Sequence, residues 1–361
     1  MELGEYRTLG RSGLRVSPLA LGTMTFGDPG WGSGPETSKD VIARFLDAGG
    51  NVIDTANGYS DGASERIVGE YLAARPGLRD RVVLSTKYAR NMHPGDPNGG
   101  GASRKAILEQ VDASLKRLGV DYIDLYWQHC LDRHTPLEES ISTLGDLVRA
   151  GKIRYVGMSN TPAWAVSRMA TIAEFRAWAP IVALQVEYSL VRRTVEGELF
   201  GLARELGLGV LPYSPLASGV LSGKYTRENR TPDGSGRGPL AQAQLDGTNA
   251  FEVLDVLRDL AQRLDTTVAA VALAWVRQQA PVTSTLIGAR SVEQLEANLA
   301  SLHVTIPEDG LRKLDAVSAP DLGYPFPWLA TIAVSLQQGG TRINGVGSTT
   351  YRRAVETTRK G

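Results

Sequence analysis

Three polar side chains stand at the ends of three consecutive apolar runs. Asp54 ends Asn51-Val-Ile-Asp54, Lys87 ends Val82-Val-Leu-Ser-Thr-Lys87, and His129 ends Ile123-Asp-Leu-Tyr-Trp-Gln-His129; Tyr59 follows Asp54 on the next loop. Taken singly, an Asp after a strand is ordinarily a turn residue and a Lys there is ordinarily solvated. Their recurrence on successive strands is what points to chemistry. A phenol with a free pKa near ~10 is a poor acid at neutral pH. A cation such as Lys87 beside Tyr59 stabilises the phenolate and eases release of the proton. Asp54 can pair with Lys87, fix its side chain and keep it charged. His129 can donate a hydrogen bond to a carbonyl oxygen. The four together suit protonation of an alkoxide developing during hydride transfer.

Such side chains converge only if the strand ends do. Strand-like runs occur at Leu19–Leu21, Val52–Ile53, Val82–Leu84, Ile123–Trp127, Ile153–Val156, Ile181–Val186, Gly209–Leu211 and Ser284–Ile287, with helical periodicity between them, for example Ile107, Val111, Leu115 and Leu118. Alternating strands and helices imply a parallel sheet with right-handed crossovers, and eight strands close a barrel. Gly49, Gly119, Gly151 and Gly207 follow last apolar turns as C-caps. Tyr6–Leu9 and Leu14–Ser17 flank a Gly10–Gly13 turn, a hairpin placed to close the barrel bottom. The expected architecture is α/β: a single (β/α)8 barrel of the TIM type over residues 1–330, with an extension over 331–361. Loops Gly27–Gly34, Arg90–Gly101 and Lys224–Gly247 follow strand C-terminal ends, the face where barrels build sites.

Composition narrows the function classes. The chain has 361 residues, 42% hydrophobic and 22% charged, with 39 Lys and Arg against 39 Asp and Glu. That is a globular balance with no basic excess, so a nucleic-acid partner is not expected. One cysteine, Cys130, permits no internal disulfide and fits a cytoplasmic setting. Neither a signal-peptide shape nor a run of 18 apolar residues occurs, so no membrane partner is expected.

Longer motifs carry a resemblance. Asp54-Thr-Ala-Asn-Gly-Tyr59, Ser85-Thr-Lys87, Asp124-Leu-Tyr-Trp-Gln-His129, Gly151-Lys-Ile-Arg-Tyr-Val-Gly-Met-Ser-Asn160 and Tyr213-Ser-Pro-Leu-Ala-Ser-Gly219 occur in this order. Over roughly residues 5–317 the chain resembles the aldo-keto reductase superfamily, in the branch of bacterial general aldo-keto reductases and potassium-channel beta subunits. The resemblance implies Asp54, Tyr59, Lys87 and His129 as the catalytic tetrad. It implies reduction of an aldehyde or ketone by NADPH, bound across the barrel mouth without a Rossmann domain; no G-x-G-x-x-G follows a strand. Ser159, Asn160 and Gln185 would hydrogen-bond the nicotinamide carboxamide, Tyr213 would stack on its ring, and Thr23, Met24 and Asp54 would also bind the cofactor. Ser214, Leu216, Ser218 and Gly219 would line the pyrophosphate; Lys224 and Arg237 would meet the adenosine phosphates. In Gly288-Ala-Arg-Ser-Val-Glu-Gln-Leu-Glu-Ala-Asn298, Ser291 looks like a helix N-cap, Arg290 suits a 2′-phosphate, Gln294 and Asn298 face the adenine, and Gly288 begins the element. Relatives often carry Glu where Ala297 stands. Channel beta subunits typically carry Asn at the His129 position, so the complete tetrad favours a working reductase over a regulatory subunit that senses nicotinamide redox state with little turnover.

Trp31, Tyr88, Tyr59 and His129 are the substrate-wall candidates for a small carbonyl compound: a reactive aldehyde, a keto sugar or a polyketide-like ketone. His129 and His134 lack a third ligand at metal spacing, so no metal is assigned. Cys130 reads as a packed small hydrophobe. The tail has weak periodicity, an apolar patch Ile332–Leu336 and a basic end Arg352–Lys360. It reads as a partly disordered or partner-dependent extension, packing near the mouth or across the interface of a homo-oligomer.

Overall fold

The computed structural model describes residues 1–28, 30–232 and 238–350. Arg237 and the basic end Arg352–Lys360 lie outside the described residues. The described residues form two compact units, the first Met1–Ser318 and the second beginning at Ala319.

The first unit begins with an antiparallel hairpin of β1 (Arg7–Thr8) and β2 (Arg15–Val16). Eight parallel strands follow: β3 (Leu19–Gly22), β4 (Val52–Asp54), β5 (Val83–Tyr88), β6 (Ile123–Gln128), β7 (Ile153–Ser159), β8 (Ile181–Glu187), β9 (Gly209–Tyr213) and β10 (Thr285–Ile287). Their hydrogen-bonded order is β10-β3-β4-β5-β6-β7-β8-β9. The barrel closes where Val210 of β9 bridges Val282 and accepts the Thr283 N–H at 2.9 Å. Each apolar run read from the sequence is a strand. Several run two to four residues further, because their C-terminal ends carry polar inward residues such as Ser85 and Lys87 that interrupt the apolar pattern.

The helices are α1 (Pro35–Asp47), α2 (Ala63–Ala73), α3 (Arg104–Leu118), α4 (Leu137–Arg149), α5 (Ala163–Phe175), α6 (Glu198–Leu206), α7 (Gly238–Leu245), α8 (Ala250–Arg263), α9 (Val268–Gln278), α10 (Val292–Leu299) and α11 (Glu308–Ser318). All four expected cap glycines have positive φ, from 63° at Gly119 to 96° at Gly49. Helix α7 corrects the reading of Lys224–Gly247 as one loop: Ala241 and Leu245, four residues apart, are buried and anchor a short helix there. No helix among the described residues is long and apolar enough to cross a membrane.

Two apolar layers hold the frame. Inside the barrel, Ala20, Val52, Val83, Leu125, Trp127, Ala183, Leu211 and Leu286 pack with Leu9 and Val16 of the hairpin segment. The larger outer layer fills the space between strands and helices. Trp127 fits inside only because its neighbour in β7 is Gly157, where a Cβ would overlap the indole. Burying a side chain this size removes ~150–250 Å² from water, so the interior is a packed floor beneath the mouth, not a pore.

Part of the stretch expected to be a partly disordered or partner-dependent extension is regular in the second unit. Phe326–Gln338 is continuously helical, with a π-helical stretch at Leu329–Ala333, and takes in the Ile332–Leu336 patch. A two-residue hairpin pairs Arg342 with Gly347 and Ile343 with Val346.

Candidate active site

Asp54 is the last residue of β4 and Lys87 lies in β5, whose Ser85 stands level with Asp54. Period-two alternation turns Ser85 and Lys87 to the same, inner face. Asp54 is 1% exposed and Lys87 is 0% exposed. The Lys87 ammonium donates to Asp54 Oδ2, to the Thr55 carbonyl at 2.8 Å and to Tyr59 Oη at 3.1 Å. An ammonium has three hydrogens and no acceptor, so its capacity is filled. Burial pulls the Lys87 pKa down, but the charge of Asp54 and the nearby Tyr59 oxygen outweigh it and leave the pKa raised. Lys87 is therefore a cation at working pH. Asp54 Oδ1 accepts from Ser85 Oγ at 2.6 Å and from Gln185 Nε2 at 3.2 Å. Ser85 escaped the sequence reading, although its alternation with Lys87 marks it.

Tyr59 accepts from Lys87, so the hydrogen on its own oxygen points elsewhere. His129 follows β6, its N–H bonded to the Tyr88 carbonyl at 3.2 Å, and its ring stands edge-on to Tyr59 with centroids 6.0 Å apart. Burial, with the positive charges of Lys87 and Arg90, lowers the His129 pKa to about 3. The imidazole is neutral in the working range and keeps one N–H donor. The four expected tetrad residues thus meet at one mouth.

A depressed histidine pKa has a signed consequence. The unfolded chain takes up a proton near the free value of 6.5, while the folded one resists until about 3. The associated stability is complete above the unfolded pKa and is lost as pH falls through this window. His129→Gln should make the acid limb of stability shallower between these values, by up to about 1.4 kcal/mol per pH unit. Urea midpoints at stepped pH would show this; identical slopes for variant and wild type would mean that His129 titrates normally.

The other expected residues fall into two groups. Near the tetrad, Ser159 stands level with Gln185 across β7 and β8. Asn160, held at φ 45°, donates both amide hydrogens, to the His129 carbonyl at 2.8 Å and to Ser159 Oγ at 3.1 Å. Its Oδ1 accepts from Tyr213 Oη at 2.8 Å. Burial, with Glu187 and Tyr59 nearby, pushes the Tyr213 pKa up to about 12, so that phenol stays protonated. The Thr23 hydroxyl is engaged with the Asp54 carbonyl at 3.1 Å and Ser64 Oγ at 2.7 Å, and Met24 is half-buried beside it.

The second group lies along the far ends of β9 and β10. Ser214, Ala217, Ser218 and Gly219 all have positive φ, a tight turn with Leu216 at its centre. The Lys224 pKa is lowered by burial and by the positive charge of Arg290. A cation disfavoured by burial and by a second positive charge nearby invites an anion. Ser291 caps α10 by accepting from Gln294 N–H, as expected. Gln294 Oε1 accepts the Arg290 N–H at 2.9 Å, and Asn298 Nδ2 holds the Gly288 carbonyl at 3.1 Å. Arg290 also donates to the Trp31 carbonyl at 3.3 Å, tying the glycine-rich loop to this element.

Two expectations fail. Tyr88 is fully buried against Tyr126, with its hydroxyl on Gln128 Oε1 at 3.0 Å. As the strand neighbour of inward-facing Lys87 it must face the helices, so it forms no substrate wall. Cys130 is exposed, not packed, because the chain leaves the sheet one residue earlier. Partial desolvation of the thiol by its surroundings, with the negative charge of Asp132, still raises its pKa, which keeps it from being a ready nucleophile. Among the described residues, no group of three or more His, Cys, Asp and Glu could hold a metal ion.

The family model described as "Aldo/keto reductase family" matches residues 18–319. Norsolorinic acid reductase B of Dothistroma septosporum is 36% identical over 90% of this chain and 84% of its own length. The oxidoreductase YrpG of Bacillus subtilis is 38% identical, with shares of 87% and 95%. An aryl-alcohol dehydrogenase of Pestalotiopsis microspora is 33% identical, with shares of 91% and 85%.

Proposed function

The chain belongs to the aldo/keto reductase family of oxidoreductases, and on that premise we propose that it reduces an aldehyde or ketone with NADPH, Tyr59 acting as the acid. The observation that carries this reading is the buried Lys87 ammonium donating to Tyr59 Oη at 3.1 Å. A cation so placed stabilises the phenolate that remains once the proton has left.

The residues fit a nicotinamide cofactor. Asn160 Oδ1 keeps an acceptor lone pair after bonding Tyr213, while Ser159 Oγ, accepting from Asn160, keeps its hydrogen to donate. Acceptor beside donor is the complement of a primary carboxamide. Tyr213 supplies an aromatic face beside them. Lys224 and Arg290 form the anion-seeking end, suited to adenosine phosphates. When bound, the nicotinamide supplies the hydride for the carbonyl carbon. Neutral His129 donates a hydrogen bond to the carbonyl oxygen, which polarises it and aims it at Tyr59. Tyr59 passes its proton to that oxygen and recovers one from solvent afterwards. Asp54, braced by Ser85 and Gln185, keeps Lys87 charged throughout.

Relatives named for norsolorinic acid and for aryl alcohols support a carbonyl attached to an aromatic system as the substrate class. The purified chain should consume NADPH with aryl aldehydes and ketones faster than with short aliphatic aldehydes. Absence of cofactor oxidation with every member of such a panel would rule the reading out. Arg290 bears on cofactor choice, because its permanent charge and planar fork match a phosphate. Arg290→Ala should weaken NADPH binding by about one to two decades, the worth of one charged contact, and leave NADH little changed. Fluorescence titration separates the cases: equal losses for both would place Arg290 on the shared pyrophosphate or on the fold.

A further inference from the structure

The proton donor sits on a turn that its own backbone does not favour. Ser60 and Asp61, directly after Tyr59, have φ 47° and 48°, a region side chains disfavour, and Gly62 follows at 83°. Something outside the turn must hold it. On one side, Ser60 Oγ donates to the Phe26 carbonyl at 2.9 Å. On the other side lies Arg90, on the loop after β5.

We propose that Arg90 is a positioning residue for the acid: its guanidinium clasps the turn on both sides of Tyr59 and so keeps the phenol at Lys87. Arg90 Nη1 donates to the Gly58 carbonyl, just before Tyr59, and Nη2 donates to Asp61 Oδ1 at 3.3 Å, just beyond it. A planar fork is suited to such a two-point grip. The grip is reciprocated. Asn57 Nδ2 donates to the Arg90 carbonyl at 3.3 Å and to Gln110 Oε1 at 2.9 Å, and Gln110 also accepts the Ala89 N–H at 2.9 Å. The stem of Arg90 lies across Gly58, where a Cβ would fall on its Cδ. Gly58 itself has φ −93°, which any residue adopts. The glycine is thus required by Arg90 and not by its backbone. Removing the clasp lets the turn relax to a commoner conformation and carries the Tyr59 oxygen away from the Lys87 ammonium.

The inference rests on Tyr59 being the acid, so Tyr59→Phe serves as the reference. The variants are Arg90→Ala, Gly58→Ala, which pushes the Arg90 stem aside, and the double variant. In each, kcat, the carbonyl KM and the NADPH Kd are measured, with and without added methylguanidinium. Expected for Arg90→Ala is a kcat lower by about 10–100-fold, the scale of a misplaced catalytic group, with Kd and KM nearly unchanged. Gly58→Ala should lose a similar factor. The double variant should be no worse than either single one, because both break the same contact. Methylguanidinium should restore part of the activity of Arg90→Ala. The proposal is overturned by an unimpaired Arg90→Ala, by multiplying losses in the double variant, by a loss confined to KM, which would make Arg90 a substrate contact, or by a parallel collapse of NADPH binding. If Tyr59→Phe itself retains wild-type activity, the assignment of the acid fails and the clasp falls with it. If Tyr59→Phe is inactive and Arg90→Ala is not impaired, the clasp alone is lost.

Discussion

Tyr59→Phe is expected to fold, to bind NADPH as the wild type does, and to reduce carbonyl substrates at least ~10²-fold more slowly, as loss of a general acid does. The substitution keeps the ring, so its edge-on contact with His129 at 6.0 Å survives. What disappears is one oxygen, and with it both the proton and the third acceptor of the Lys87 ammonium. Lys87 keeps Asp54 and the Thr55 carbonyl, enough to remain charged. The defect should therefore appear in kcat with little change in NADPH Kd. A near wild-type rate on a good aldehyde would transfer the acid role to another group, with His129 first in line.

Lys87→Met is expected to remove activity and also to destabilise the fold by about 3–5 kcal/mol, the cost of breaking a buried ion pair from one side. Met nearly matches the lysine stem in length, so little of the loss comes from packing. Asp54 stays behind, 1% exposed, with Ser85 and Gln185 as hydrogen-bond donors but no cation. Adding Asp54→Leu should recover much of the stability, since the stranded charge is then gone, while activity stays lost. Urea unfolding of wild type, single and double variants gives the comparison. If the single variant loses less than about 1 kcal/mol, the pair contributes chemistry without holding the barrel.

The barrel and the convergence of Asp54, Tyr59, Lys87 and His129 were legible for a common reason. Each strand carries an apolar run; Asp54, Lys87 and His129 close three of these runs at their C-terminal ends, with Tyr59 on the loop after the first, so pattern and exception together mark the mouth. Alternation was the part of that signal left unused: Ser85 and Lys87 share a face, which brings Ser85 to Asp54 and turns Tyr88 away. Arg90 had no such signal. It acts through a loop conformation and through Gly58, and nothing in the local sequence says which backbone a guanidinium will reach. Helix α7 was hidden because its apolar anchors, Ala241 and Leu245, span a single turn in a segment without charges. Cys130 misled because composition describes the average cysteine, whereas its place just past a strand end decides its exposure.

A mouth that admits carbonyl compounds faces a hazard from its own amine. A neutral lysine condenses with aldehydes to an imine, and its attacking lone pair exists only after a proton has left. Lys87 is shielded from that fate by the arrangement that makes it useful. It has no solvent exposure, its pKa is raised, and each of its three hydrogens is directed at an oxygen. Deprotonation would strand Asp54 as an unpaired buried anion, so the reactive form is penalised by the whole cluster. The arrangement gives the barrel a built-in resistance to self-inactivation: an aldehyde entering the mouth does not meet the nitrogen of Lys87 as a nucleophile.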